Sequence, residues 1–273
     1  MPQPESHLQD LYSHFDCNGT DQLELPGFPP TVYNFPFFPH IVLSIRIKML
    51  EGGFNMLKDG QKGVILQRDK KTYAIAPHIP CGLVTPELLE RFARIAVKYS
   101  AEMKITSAAR IAFLGIKEAD VDAIWADLGT DPGYPVGLCV RSVKVCPGKS
   151  YCRLAKQNSI EMGMKLDRRY HGMAMPSKMK MAVSGCKIQC GENCIKDISL
   201  YGTETGWSIM VGGMGGIKPR LAEVLVEDVS SQLAEEIIEN IITFYKDYGK
   251  RARIGFVLDK IGIQALREAV LNQ

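Results

Sequence analysis

Four cysteines in the middle of the chain, Cys146, Cys152, Cys186 and Cys190, are the residues best suited to chemistry. They fall in two pairs, CPGKSYC over 146–152 and CKIQC over 186–190. Four thiolates converging from at least two loops can hold a cubane iron–sulfur cluster, and this pattern supplies them. Pro147, Gly148 and Gly185 favour the tight turns that wrap a backbone round such a cluster. Structural zinc is the competing reading, but its paired cysteines stand about two to four residues apart, so a five-residue spacer fits poorly. Unliganded core thiols are the third. Cys194 repeats the three-residue spacing after Cys190, which leaves the ligand register open on spacing alone. Cys17, Cys81 and Cys139 read as buried thiols.

The segment that carries these cysteines is strongly basic. Between Cys139 and Cys190 there are eleven Lys and Arg and two acids, Glu161 and Asp167, within a chain whose net charge is only +3. Such a patch calls for an anionic partner: nucleic acid, phosphate or a polycarboxylate. The nucleic-acid reading is the weak one, because only Tyr151 and Tyr170 interleave the cations for base stacking. No run approaches the roughly 20 apolar residues of a membrane helix; Ile41 to Leu50 is broken by Arg46 and Lys48. No basic start followed by an apolar stretch and a cleavage site is present, so the expectation is a cytoplasmic protein. Eight cysteines in such a chain indicate metal or cluster ligation rather than a disulfide framework.

The elements that must position these residues begin after residue 55. The first 48 residues are rich in Pro, Phe and His and lack periodicity, as in LPGFPP and NFPFFPH. Glu51-Gly52-Gly53 stands just before Met56, and codons for that tripeptide can encode a ribosome-binding sequence. The expectation is a natural start at Met56 or Met49, with residues 1–55 a disordered or non-native extension. From Gly63 the pattern is regular. Short strands over 64–67 and 72–76 flank a polar turn, Thr85-Pro86 starts a helix, and strands over 103–106 and 110–116 precede a helix over 118–128. Strands interleaved with two amphipathic helices make a small α+β domain. Beyond the turn-rich 129–137 the spacing predicts a helix over 150–164, strands near 178–183, 195–201 and 207–211, and two closing helices. The domains divide as 56–135 and 136–273.

The order CPGKSYC…SGCKIQC, followed by GWSIMVGG, resembles the sulfite and nitrite reductase family over roughly residues 63–248. That resemblance implies an α+β fold: a ferredoxin-like half-domain followed by a siroheme/[4Fe–4S] domain. It implies two cofactors, siroheme and a [4Fe–4S] cluster, with Cys190 bridging cluster and siroheme iron. The family's strand-borne arginine falls on Arg110 in ITSAAR, and the arginine ahead of the cluster segment on Arg141. Its Pro-x-Lys-x-Lys element falls on Lys178 and Lys180 in MPSKMK. These four cations would stabilise a bound oxyanion and relay protons to its departing oxygens. The glycine run GGMGG fails a dinucleotide fingerprint on spacing. By resemblance, Gly212 and Gly213 approach a cofactor carboxylate, with Lys218 or Arg220 nearby. His171 is a possible proton donor whose isolation in the sequence argues for a structural role.

Two departures stand beside the resemblance. The loop inside the second cysteine pair carries Asn-Gly in the reductases and Lys187-Ile188-Gln189 here. The chain also has one half-domain and one cluster segment where the reductases have two related halves, which implies a homodimer. With no nicotinamide or flavin site in the chain, electrons come from an external donor such as a ferredoxin. The expected activity is reduction of sulfite or nitrite. The rivals are a cluster-only electron-transfer protein and a metal-stabilised nucleic-acid-binding module.

Overall fold

The computed structural model describes residues 56–130 and 132–271. The expectation of a disordered or non-native extension over 1–55, and the reading of Cys17, lie outside the described residues. The described chain builds two sheets. The first holds β1 (Val64–Leu66), β2 (Tyr73–Ile75), β3 (Glu102–Ile105) and β4 (Ile111–Ile116) in the order β1-β2-β4-β3, all antiparallel. Helices α1 (Pro86–Lys98) and α2 (Val121–Leu128) bury Phe92, Ile95, Ile124 and Leu128 against Tyr73, Ile75 and Phe113 of this sheet. Thr85 caps α1 by accepting from the Leu88 amide, and Pro86 occupies the first turn, where its missing N–H costs nothing. Edge strand β3 has all four residues exposed, with Ile105 at 76%.

The second sheet has β5 (Lys144–Val145), β6 (Met181–Ser184), β7 (Ile198–Gly202), β8 (Trp207–Val211) and β9 (Glu223–Val229), in chain order. Strands β5, β6 and β7 run parallel, whereas β8 and β9 add antiparallel. The parallel crossovers carry α3 (Gly148–Tyr151) and α4 (Ser159–Tyr170) after β5, and the loop 185–197 after β6. Helix α5 (Ser231–Tyr248) and α6 (Ile254–Leu271, interrupted at Gly262) close the core over Ile198, Leu200, Ile209 and Val211. Ligand loops in such sheets gather at the carboxyl ends of parallel strands. Cys146 directly follows β5, and Cys186 follows β6 by two residues.

Local differences from the sequence reading have physical causes. The helix expected over 150–164 is two helices, because the Lys156 and Gln157 amides turn away to the Gly185 carbonyl at 2.6 and 3.1 Å. Asn158 then caps α4 by accepting from the Glu161 amide. Lys178 and Lys180 stand just ahead of β6 rather than within it, on extended backbone whose intervening Met179 is fully buried. Strand β9 has no counterpart in the sequence reading. Among the described residues no helix is long and apolar enough to cross a membrane.

Candidate active site

The two cysteine loops meet at glycine. Gly185 packs so closely on Gly148 that a Cβ there would stand 3.1 Å from the Gly148 Cα and 2.9 Å from the Gln157 carbonyl. Its amide donates to the Cys146 Sγ at 3.1 Å, the kind of N–H···S bond that tunes a cluster thiolate. Cys146 is buried, Cys152 and Cys186 are half-buried, and Cys190 is exposed; none is in a disulfide. The thiols themselves are not drawn to one centre: among the described residues, no three His, Cys, Asp or Glu side chains stand close enough to hold a metal ion. Beyond Cys190, a buried network fixes the loop. The Ser184 hydroxyl accepts from the Gly191 amide (2.9 Å) and donates to Asn193 Oδ1 (2.6 Å), while Asn193 Nδ2 donates to the Leu200 carbonyl (2.6 Å). Gln189 takes a positive φ of 58°, a conformation Asn and Gly adopt with less strain, and Ile188 points its bulk outward at 61% exposure.

A cavity of about 630 Å³ adjoins that loop. It is lined by Arg110, Arg141, Lys144, Lys178, Lys180 and Lys196, with Glu192 the one acid among them. Glu192 and Lys196 come from the segment that carries Cys190 and Cys194, and Lys144 lies two residues before Cys146. The segments that carry the thiols therefore also supply cations to this cavity. All four sequence-identified cations, Arg110, Arg141, Lys178 and Lys180, line this cavity.

Each cation is held differently. Thr106 closes the turn ahead of β4: its amide and hydroxyl both donate to the Arg110 carbonyl (2.9 and 3.0 Å). This turn accounts for a threonine standing four residues before Arg110 in ITSAAR. The Arg110 side chain is buried and donates through Nε to Ser142 Oγ (2.8 Å), through Nη1 to the Ala76 carbonyl (2.8 Å) and through Nη2 to His171 Nε2 (3.1 Å). Burial, then the neighbouring Arg141 charge, lowers its pKa to about 10, so it stays cationic at neutral pH. Arg141 donates to the Tyr134 and Gly137 carbonyls at 3.0 and 2.8 Å, and its buried Nε has no partner among the described residues. Glu192 bridges Lys144 (2.6 Å) and Lys196 (2.8 Å), and those bonds pull its carboxyl down to about 2.

Lys178 and Lys180 form no salt bridge among the described residues. Burial, then Lys178, lowers the Lys180 ammonium below the ordinary lysine range. The Lys180 backbone is anchored instead: its amide donates to Asp197 Oδ2 (2.7 Å), and Asp197 is gripped by Arg253 through two 2.6 Å bonds.

The glycine run sits differently. A Cβ on Gly212 would meet Leu258 and Arg220 at 2.5 and 2.6 Å, and one on Gly213 would meet the Cys194 and Lys196 backbone at 2.6 to 2.8 Å. Packing within the chain accounts for both, and it is Gly215 that lines the cavity. Arg220 is already bonded to Asp259, Glu223 and the Gly212 carbonyl. Sequence reasoning missed His78, Ser142, Glu192 and Asp197. It set aside His171, which stacks on His78 and accepts from Arg110. Cys81 and Cys139 are buried as expected, and burial pushes the Cys81 thiol up to about 12.

Paired thiol loops on the same segments as a polycationic cavity suit a cluster-binding protein that takes a small anion. Residues 136–273 match the nitrite and sulphite reductase 4Fe-4S domain, and 65–130 match the nitrite/sulfite reductase ferredoxin-like half domain. The chain belongs to the nitrite and sulfite reductase family. It is 43% identical to an assimilatory-type sulfite reductase of Nitratidesulfovibrio vulgaris over 79% of this chain and the whole of that one. It is 36% identical to the large subunit of the Escherichia coli NADH nitrite reductase over 76% of this chain and 25% of that one. The fold is shared with Mycobacterium tuberculosis NirA, at a TM-score of 0.69 and 19% identity, covering 85% of this chain and 51% of that one. Dissimilatory sulfite reductase I aligns at 0.66 and 18%, over 73% and 69%.

The cofactors of this family are siroheme and a [4Fe–4S] cluster. The residues present fit both. Paired thiol loops in glycine contact, with an amide already aimed at Cys146, suit the cluster. Six cations, with Arg141 Nε unpartnered and two lysines unpaired among the described residues, suit a polycarboxylate together with an oxyanion.

Proposed function

We propose that the chain reduces sulfite, with nitrite as the alternative oxyanion, using siroheme and a [4Fe–4S] cluster fed by an external donor. What supports this reading most is the convergence of Arg110, Arg141, Lys178 and Lys180 on one cavity that shares its loop with Cys190. When bound, the siroheme supplies the iron that holds the substrate and the cluster supplies electrons to it. Cys146, Cys152, Cys186 and Cys190 would hold the cluster; Arg110 and Arg141 are fixed by their hydrogen bonds as standing positive charge. Lys178 and Lys180 bind the oxyanion and donate protons to its oxygens. Sulfite stands ahead of nitrite because the similar sulfite reductase is matched over its whole length, the E. coli nitrite enzyme over a quarter of its own. We assign residues 56–135 and 136–273 as the two working domains.

The surface over the thiol loops favours an acidic electron donor such as a ferredoxin. Exposed Tyr151, Leu154 and Ile188 there are interspersed with Lys149, Arg153 and Lys187. The open β3 edge, carrying exposed Met103 and Ile105, favours a homodimer in which a second copy supplies what a two-halved reductase has in one chain. The nucleic-acid reading is disfavoured because Arg141, Lys144, Lys178 and Lys180 of the basic segment line a cavity rather than forming an open stripe. Anaerobic turnover with reduced methyl viologen tests the proposal: sulfite should yield sulfide. Cofactor-loaded protein that makes neither sulfide from sulfite nor ammonia from nitrite would leave the cluster-only electron carrier.

A further inference from the structure

A second cavity, of about 750 Å³, lies across the Tyr134–Val136 segment, whose three residues line both cavities. His78 and His171 line it. Their rings stack 3.5 Å apart and 9° from parallel. Each ring also reaches a residue of the cationic cavity. His78 Nδ1 is 3.2 Å from Ser142 Oγ, and His171 Nε2 is 3.1 Å from Arg110 Nη2. On its far side His78 Nε2 lies 2.7 Å from Asp167 Oδ2, a carboxylate 4% exposed whose other oxygen accepts from the Val143 amide.

The chemistry of the donors sets most of the protons. A guanidinium only donates, so Ser142 Oγ accepts from Arg110 Nε and His171 Nε2 carries no proton. His171 is kept neutral: burial, then the neighbouring His78, takes it down to about 4. Asp167 accepts from His78 Nε2–H, which orients the ring and fixes the hydrogen on that nitrogen. One position is left to vary, His78 Nδ1. When it is bare, the Ser142 hydroxyl donates to it. When it is protonated, the ring donates to Ser142, whose single hydrogen is then released toward the cationic cavity that Ser142 lines.

We propose that Asp167, His78 and Ser142 form a proton relay from the second cavity to an oxyanion bound among Arg110, Arg141, Lys178 and Lys180. In one pass the Ser142 O–H bond breaks as a substrate oxygen takes its proton. The His78 Nδ1–H bond breaks to restore the hydroxyl, and a hydronium ion reaching His78 from the second cavity, which the ring lines, returns a proton to Nδ1 and leaves as water. The net transfer is one proton from solvent to the oxyanion. Ser142 is the residue that touches substrate; His78 and Asp167 act through it. The charged and titratable groups facing His78 are Asp167 from α4, His171 just beyond α4 and Arg110 ahead of β4. Arg141 stands next to Arg110, and Lys62 lies across the second cavity. None of the thiol ligands takes part.

The relay rests on the oxyanion-reductase reading above, and two measurements on the cofactor-loaded full chain separate their fates. In turnover, His78→Gln and Ser142→Ala should each lower kcat about ten- to hundredfold while KM for sulfite stays within about twofold, and Ser142→Thr should restore kcat. Calorimetric binding of nitrite near neutral pH, in buffers of different ionisation enthalpy, should reveal proton uptake in the wild type. Uptake follows because an anion arriving beside Ser142 draws a proton into the Asp167–His78–Ser142 chain. It should vanish in His78→Gln and persist in Ser142→Ala, which keeps the Asp167–His78 pair. Wild-type kcat in Ser142→Ala, or undiminished uptake in a folded His78→Gln, would overturn the relay. If His78→Gln does not fold, the Ser142 pair of variants decides alone. Absence of wild-type turnover would sink the reductase reading instead, and the calorimetric comparison would still judge the relay.

Discussion

The thiol loops and the cationic cavity come from the same stretch of chain, yet they are finished to different degrees. On the cation side every guanidinium is held: Arg110 by three acceptors, Arg141 by two carbonyls, with Glu192 spanning two lysines. On the sulfur side, among the described residues, Cys146 alone of the four thiols receives a hydrogen bond. Cations that can be paired with carbonyls and carboxylates are set in place by the fold, so an anion meets donors that need no reorganisation. Cysteines bind iron as thiolates, so loading a cluster on the sulfur side is coupled to release of their protons.

Variants on the two sides should therefore differ in kind. Cys190→Ser should have the largest effect: iron and acid-labile sulfide fall to background, and turnover is lost. A variant that keeps its full iron would move the ligand register to Cys194. Breaking the cation scaffold should cost fold stability instead. Asp197→Ala leaves the largely buried Arg253 guanidinium without its partner and frees the Lys180 amide. A loss of about 3–5 kcal/mol follows, or a fall of roughly 10 °C in Tm by thermal denaturation. An unchanged Tm would mean the Asp197–Arg253 pair does not support this side.

Smaller effects follow at the cavity wall and behind it. Lys178→Ala should lower turnover about ten- to hundredfold with both cofactors still bound, read from kcat beside the absorption spectrum. Loss of siroheme in that variant would give Lys178 a binding role. The smallest effect concerns His171, whose pKa is lowered from 6.5 to about 4, chiefly by burial and then by His78. As pH falls from 6.5 toward 4 the unfolded chain takes up a proton that the folded chain refuses. Stability from this group is therefore lost across that window and is constant below it. His171→Asn should flatten the Tm-against-pH curve there, by an amount that partial solvent exposure keeps modest.

The sequence was most legible where a function needs fixed local spacing. The cysteine pairs, Thr106-x-x-x-Arg110 and Lys178-x-Lys180 are each set by one turn or one stretch of extended backbone, and all could be seen. Thr85-Pro86 and the stripe of α1 were legible for the same reason. Asn158-x-x-Glu161, a capping pattern, carried the start of α4 and was readable had it been weighed against the apolar spacing over 150–164. The residues behind the cations were not readable. His78 meets Ser142 and Asp167 across 64 and 89 positions, and Asp197 meets Arg253 across 56. No local period encodes such meetings; the sheet order and the crossovers bring them about. Gly212 and Gly213 teach the converse lesson, since glycines that suggested cofactor approach are equally required by the chain's own close packing.

The absorption spectrum of anaerobically purified full-length protein, taken with its iron content, tests the central claim most directly. Soret and visible siroheme bands over the broad absorption of an iron–sulfur cluster are the predicted result. A colourless protein holding one zinc per chain would contradict it.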